Sequence, residues 1–312
     1  MSNENIRSLI QQLNRIDVNK ADYEYIVSLF RKAIYQVVIY VSLTRSTDLY
    51  FRAVIWKNEK PKKIDNFKAP PAELVKGFQR CNPPNTPMFY SASKRITALL
   101  ECDVQVGDTV YLSQWVNKKP VPVNRILFPD KNYESNVKLT LREMALYSYV
   151  DTIFTRPVHE AFSNVYKITA AVTEALTTGF TPLQDSGLDI REDGTVGLIY
   201  PSITDIEDSY NVVFHADFAE ERLQLTHVME LVVKKREGKK ITIEVNDNAI
   251  EFPDGNITWL NNRFSIPKLR NSLDHLEFKG NGRAWVIPVK DTFHSPEEID
   301  DLLNENANNE WL

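Results

Sequence analysis

Apolar residues recur at helical spacing over the first forty positions. Ile6, Leu9, Ile10 and Leu13 form one stripe, and residues 23–40 predict a second, more apolar helix. From Leu49 the pattern shortens into strands and turns. LYFRAVIW (49–56), PMFYSAS (87–93) and VYLSQWV (110–116) predict strands, with a helix over 94–101 between the last two. Helices are expected at about 139–154 and 160–178, the second closed by Gly179. VGLIY (196–200) reads as a strand stopped by Pro201–Ser202, and NVVFHADF (211–218) as another. Beyond 228, VMELVVKKREGKKITIEV alternates around a glycine turn, and IEFPDGNITW repeats the device. Ser295-Pro296-Glu297-Glu298 offers a cap and a first-turn proline for a short terminal helix. The pattern predicts a helical segment at 1–44, a main domain at 45–227, and an appendage of two hairpins and an acidic helix at 228–312.

Composition changes this picture little, but charge distribution does. The chain has 312 residues, 43% hydrophobic and 25% charged, which suits an ordinary globular protein. The polar N-terminus is not a signal peptide, and the most apolar stretch, 33–43, is too short and polar to span a bilayer. The two cysteines, Cys81 and Cys102, form no CxxC pair and have no histidine cluster beside them. That pattern argues against zinc and for a reduced, cytoplasmic setting. A net charge of −5 gives no nucleic-acid footprint. Residues 291–312 hold seven acids and no Lys or Arg, so the preceding 290 carry +2. Such a tail is either solvated or a partner-binding or self-masking segment.

No Walker loop, GxGxxG, GxSxG or HExxH motif is present, and His159, His215, His227, His275 and His294 lack ligand spacing. Chemistry must therefore rest on isolated polar residues at the ends of apolar elements. In RCNPPNTPMFY (80–90), Pro83 and Pro84 stiffen the turn and Pro83 drives Asn82 out of the helical region. A rigid turn would hold Arg80 in a defined position relative to Tyr90. Arg52, inside LYFRAVIW, is either a solvated edge residue or a guanidinium facing a cleft, where its fork suits a diphosphate. Tyr90 is a core aromatic or a stacking platform. Glu101 lies about 150° from the buried stripe of its helix, which alone favours solvent. Ser202 stands at the C-terminal end of a strand, a turn residue or part of a cleft.

Taken in order, these residues resemble the RES domain. The matches are FRA (51–53), RCNPP (80–84), Tyr90, ALLE (98–101), GLIYPS (197–202) and NVVF (211–214). Gln79, Cys81 and Asn85 depart from the family pattern, which has a glycine, an aromatic and a glycine there; Asn85 can still take a positive φ. The resemblance implies an α+β fold like that of the ADP-ribosyltransferases, with a mixed, bent sheet and surrounding helices around an NAD-binding cleft. It also implies a toxin-like enzyme that cleaves the nicotinamide–ribose bond of NAD by phosphorolysis or hydrolysis, needing no metal. Glu101, Arg52 and Ser202 are then catalytic, and Arg52, Arg80, Asn82, Tyr90 and Ser202 hold NAD. An antitoxin or immunity protein is the implied partner, a homo-oligomer is allowed, and neither nucleic acid nor membrane is expected. Two other readings are a mono-ADP-ribosyltransferase with a protein target and a catalytically impaired binding module.

Overall fold

The alternating and helical patterns meet in one sheet. The computed structural model describes residues 3–260, apart from 36, 38–40, 45–47, 118–120, 127–138, 159, 178–194, 205 and 207–208, together with 277–279 and 284–286. Helices α1 (Asn3–Asn14) and α2 (Tyr23–Ile34) precede strands β1 (Val41–Leu43) and β2 (Leu49–Ile55). Then follow β3 (Met88–Ala92), α3 (Arg95–Glu101), β4 (Thr109–Asn117), β5 (Pro122–Arg125), α4 (Leu141–Thr155) and α5 (Tyr166–Thr177). The chain continues through β6 (Gly197–Pro201), β7 (Tyr210–His215), α6 (Ala216–Arg222), β8 (Leu223–Glu237) and β9 (Lys240–Ala249). Two short strands, β10 (Glu277–Lys279) and β11 (Ala284–Val286), complete it.

Among the described residues the strands form an eleven-stranded sheet in the order β1-β5-β6-β7-β3-β2-β4-β8-β9-β11-β10. β5 and β6 run parallel and the other described pairs antiparallel, so the sheet is mixed and the fold is α+β. Sequence chemistry sets the helix starts. Asp22 accepts the Glu24 amide at 2.9 Å, and Thr140 and Glu143 form a reciprocal capping box. No helix among the described residues is long and apolar enough to cross a membrane.

Three expectations shift. The second helix ends at Ile34 rather than near 40. NVVFHADF is a strand only to His215; Ala216 begins α6, which has Asp217 in its first turn and Arg222 in its last, matching the helix dipole. β1 and β5, short segments beside turns, went unread in the pattern.

The expected segment boundaries also fall inside packed structure. Ile6, Leu13, Ile26 and Phe30 of α1 and α2 share one core cluster with Phe154, Ala171 and Leu198, so these two helices pack on the same core as α4, α5 and β6. The boundary at 227/228 lies within β8, which pairs with β4 from Thr109↔Val232 to Asn117↔Leu223. Burying Leu231, Val233, Ile241 and Ile243 beneath α3 makes the first hairpin an extension of the central sheet. The second hairpin is reduced to an isolated Glu251↔Thr258 bridge around a turn at Pro253–Gly255. The expected terminal helix at 295 and the Gly179 cap lie outside the described residues.

Candidate active site

Antiparallel register brings the candidate residues together. Tyr200 of β6 pairs with Asn211 of β7, Asn211 with Ala92 of β3, and Ala92 with Phe51 of β2. This row of four strands floors a cavity of about 750 Å³, within the usual range for ligand pockets. Arg52 and Ser91 lie one residue along and Tyr90 two, while α3 contributes Ala98 and Glu101 to the wall and the residue after it, Cys102, a third. Gly77, Phe78, Gln79 and Arg80 close one side together with Ser163 and Tyr166, whose ring lies under the Arg80 guanidinium.

Glu101 is the last residue of α3. Its Oε1 accepts the Ser202 hydroxyl at 2.6 Å and the Asn211 amide Nδ2 at 2.7 Å. Both described hydrogen bonds fall on one oxygen, which orients the carboxylate and leaves Oε2 for the cavity. Ser202 is itself fixed: its Oγ accepts the Thr204 hydroxyl at 2.7 Å and the Thr204 amide at 3.1 Å. Ser202 folds its own turn and reaches Glu101, but it is not among the residues that line the cavity. The turn after Glu101 is pinned by Arg236 of β8, whose Nη1 donates to Asp103 Oδ1 and to the Val104 carbonyl, each at 2.7 Å. Asp103 takes a positive φ of 48° there.

Arg52 faces the cavity rather than open water. Its Nη1 donates to the Tyr90 carbonyl at 3.0 Å, its guanidinium lies 5.5 Å from the Phe89 ring centre, and its buried Nε has no hydrogen-bond partner. Burial lowers its pKa, with Cys102 and Tyr90 opposing that shift. Cys102 donates its thiol to the Ala53 carbonyl at 3.0 Å. Burial pushes that thiol up to about 11 against the neighbouring Arg52, so it stays protonated at neutral pH.

The stiff turn does two jobs. Asn85 adopts φ 60°, so the loop closes without the glycine of the family pattern. The Tyr90 hydroxyl donates to Asn82 Oδ1 at 2.5 Å and accepts the Cys81 amide at 2.9 Å, which ties turn to strand. Asn82 is 1% exposed and sits behind Tyr90, outside the cavity lining, so its expected place at the ligand is corrected to that of a support. Cys81 is likewise buried in the helical core, and burial raises its thiol to about 12. Arg80 lines the cavity, but its Nη1 donates to the Phe154 and Arg156 carbonyls at the end of α4. Its Nη2 reaches the Tyr166 hydroxyl at 3.4 Å, over whose ring the guanidinium stacks at 5.0 Å. Part of its fork therefore closes a helix C-terminus rather than waiting for a ligand.

Tyr90→Phe is accordingly expected to keep the ring in the cavity wall while stranding Asn82 Oδ1 and the Cys81 N–H. The loss is about 1–3 kcal/mol, read by urea denaturation. A variant as stable as the parent would show that the hydroxyl does not hold the turn.

Asn211 went unrecognised as a functional residue, although the NVVF element was noted. The available signal was a polar residue opening an otherwise apolar strand; it is 4% exposed. Tyr200, Tyr166 and Phe78 were also missed, because aromatics in apolar segments look like core. Among the described residues no group of three His, Cys, Asp or Glu side chains is placed to hold a metal ion. His227 is buried in the sheet, and burial followed by Arg95 holds it near 3, so it remains neutral.

No curated protein and no solved structure matched the chain. The RES domain matched residues 56–233, more than half of its length. That span starts one residue after β2, so Arg52 lies just outside it, and it runs into β8. With the ordered motifs and their convergence on one cavity, this match places the chain in the RES domain family.

Proposed function

We propose that this protein cleaves the nicotinamide–ribose bond of NAD, transferring the ADP-ribosyl group to phosphate or water. Membership of the RES domain family carries an NAD-related, toxin-like function at family level. The observation that carries the reading is Glu101, an oriented carboxylate on the wall of a cavity that also holds the guanidinium of Arg52. Breaking the C–N bond sends its electron pair to nicotinamide and builds oxocarbenium charge on the ribose. A fixed carboxylate stabilises that charge or anchors the ribose hydroxyls. An oxygen of phosphate or water then bonds to the anomeric carbon, and any proton it sheds passes to solvent. Arg52 holds the pyrophosphate, with Arg80 giving what remains of its fork. Tyr90 and Tyr166 offer faces for a flat ring. Ser202 acts through Glu101 and is a positioning residue.

The test is to incubate the purified protein with NAD, with and without phosphate, and weigh the products. Nicotinamide with ADP-ribose, or with its phosphorylated form when phosphate is present, is the expected result. Intact NAD overturns the reading. ADP-ribose recovered on protein would make the chain a mono-ADP-ribosyltransferase, with the same cavity but another acceptor.

A further inference from the structure

The β8–β9 hairpin carries an unusual concentration of positive charge at its tip. Lys234, Lys235, Arg236, Lys239 and Lys240 stand against the single acid Glu237 within seven residues. Glu237 pairs with Lys240 across a two-residue turn, Gly238-Lys239, in which Gly238 takes φ 60°. All these side chains are exposed except that of Arg236, which is half-buried. Some are already bridged: Lys234 to Glu244, Lys235 to Glu237 at 2.9 Å, and Arg236 to Asp103 at 2.7 Å. Exposed pairs of this kind contribute about 0–1 kcal/mol, so a better-placed acid exchanges with them readily.

The sheet register points the end of β11 toward this spot. β11 runs antiparallel to β9, with Ala284 opposite Glu244, Trp285 opposite Ile243 and Val286 opposite Thr242. The chain therefore leaves β11 travelling toward the tip. Thr242 lies two residues from Lys240, about 7 Å along the strand. Asp291, five residues after Val286, can be up to roughly 17 Å away along an extended chain. From Asp291 to Leu312, a segment outside the described residues, the sequence has seven acids and no Lys or Arg.

We propose that the tip of the β8–β9 hairpin is a docking site for the chain's own acidic segment, residues 291–312. This goes beyond the catalytic reading and does not depend on it. It also gives the self-masking role considered for the tail a place, the hairpin tip. The tip and the cavity are close: Arg236 at the tip holds the turn that begins two residues after Glu101. A docked acidic segment competes with Asp103 for Arg236, which gives the tail a route to the carboxylate without entering the cavity. A nucleic acid would also suit a basic tip, but the direction in which β11 runs favours the chain's own acidic segment.

The test uses the full chain. Carbodiimide coupling at low salt should join Lys235, Lys239 or Lys240 to an acid within 291–312 inside single chains. At 1 M salt, where screening acts over about 3 Å, the coupling should vanish. A second measurement follows trypsin cleavage at the tip, an exposed turn rich in its target residues. Changing Asp291, Glu297, Glu298, Asp300 and Asp301 to their amides should speed that cleavage about tenfold at low salt and little at high salt. The proposal is overturned if no such coupling forms, or if coupling occurs only between two chains. It is also overturned if the amide variant is cleaved at the parent rate, or if protection requires an added duplex oligonucleotide.

Discussion

Glu101→Gln is expected to lower NAD turnover by about 10²–10³ while leaving the melting temperature near that of the parent. The structure makes this substitution a clean probe. Both described partners of Glu101, the Ser202 hydroxyl and the Asn211 amide, donate to Oε1. A glutamine carbonyl can accept both, so its NH2 takes the Oε2 position facing the cavity. Size and orientation survive, and only the charge that opposes the oxocarbenium ion is lost. The measurement is single-turnover release of nicotinamide, paired with a thermal melt. Near-normal turnover would remove Glu101 from the mechanism, whereas lost activity with a lowered melting temperature would point to misfolding. Asn211→Ala provides the companion: it leaves the carboxylate but loosens it, so kcat should fall with little change in KM, and Asn211→Asp should not rescue it because two carboxylates would then meet.

Arg52→Met is expected to weaken NAD binding about 10–100-fold, the loss of one or two charge-assisted hydrogen bonds. It should also raise the melting temperature by a few degrees. Arg52 is a partly buried cation whose described hydrogen bond reaches a neutral carbonyl and whose buried Nε has no partner. Its pKa is lowered by burial, so the folded chain holds this proton less tightly than the unfolded chain does. The charge therefore counts against the folded state at every pH below the guanidinium's own titration. No window near neutrality relieves it. A methionine fills much of the same volume without the desolvation, exchanging function for stability. Arg52→Lys should bind nearly as poorly as Met, since an ammonium cannot reproduce the planar fork. If both variants bind NAD as tightly as the parent, Arg52 is no ligand group. A lower melting temperature for Met would show that the Tyr90 and Phe89 contacts outweigh the burial of the charge.

Arg80 is distinguished from Arg52 by the same reasoning. Its guanidinium already serves the C-terminal carbonyls of α4, so Arg80→Lys should lower stability by about 1 kcal/mol as well as affinity, checked by denaturation with and without NAD. Loss of affinity alone would mean that the helix end is satisfied without it.

The elements of this protein were legible because local chemistry specifies them. The stripe through Ile6 and Leu13, the apolar run of β4 and the left-handed Asn85 are each decided within a few residues of chain. The ordered motifs from Arg80 to Ser202 were legible for the same reason, as residue types at turns and strand ends. Which way those residues face was not. A helical wheel sends Glu101 to solvent, because it assumes a helix with one wet side. α3 is instead enclosed: Arg95, Ile96, Thr97, Ala98 and Leu99 are all at most 5% exposed. The side opposite its apolar stripe borders the cavity, a fact created by β6 and β7, more than a hundred residues later in the chain. The pairing of the 228 hairpin was hidden for a related reason. A hairpin at 228 reads as an appendage until β4 is found to offer it an edge, and pairing between strands distant in sequence leaves no local trace. The sequence by itself therefore determined most of the elements, the turn at Asn85 and most of the polar residues available for chemistry. Only the tertiary structure decided that Arg52, Glu101, Ser202 and Asn211 share one site, because register across four strands, rather than any spacing along the chain, brings them together.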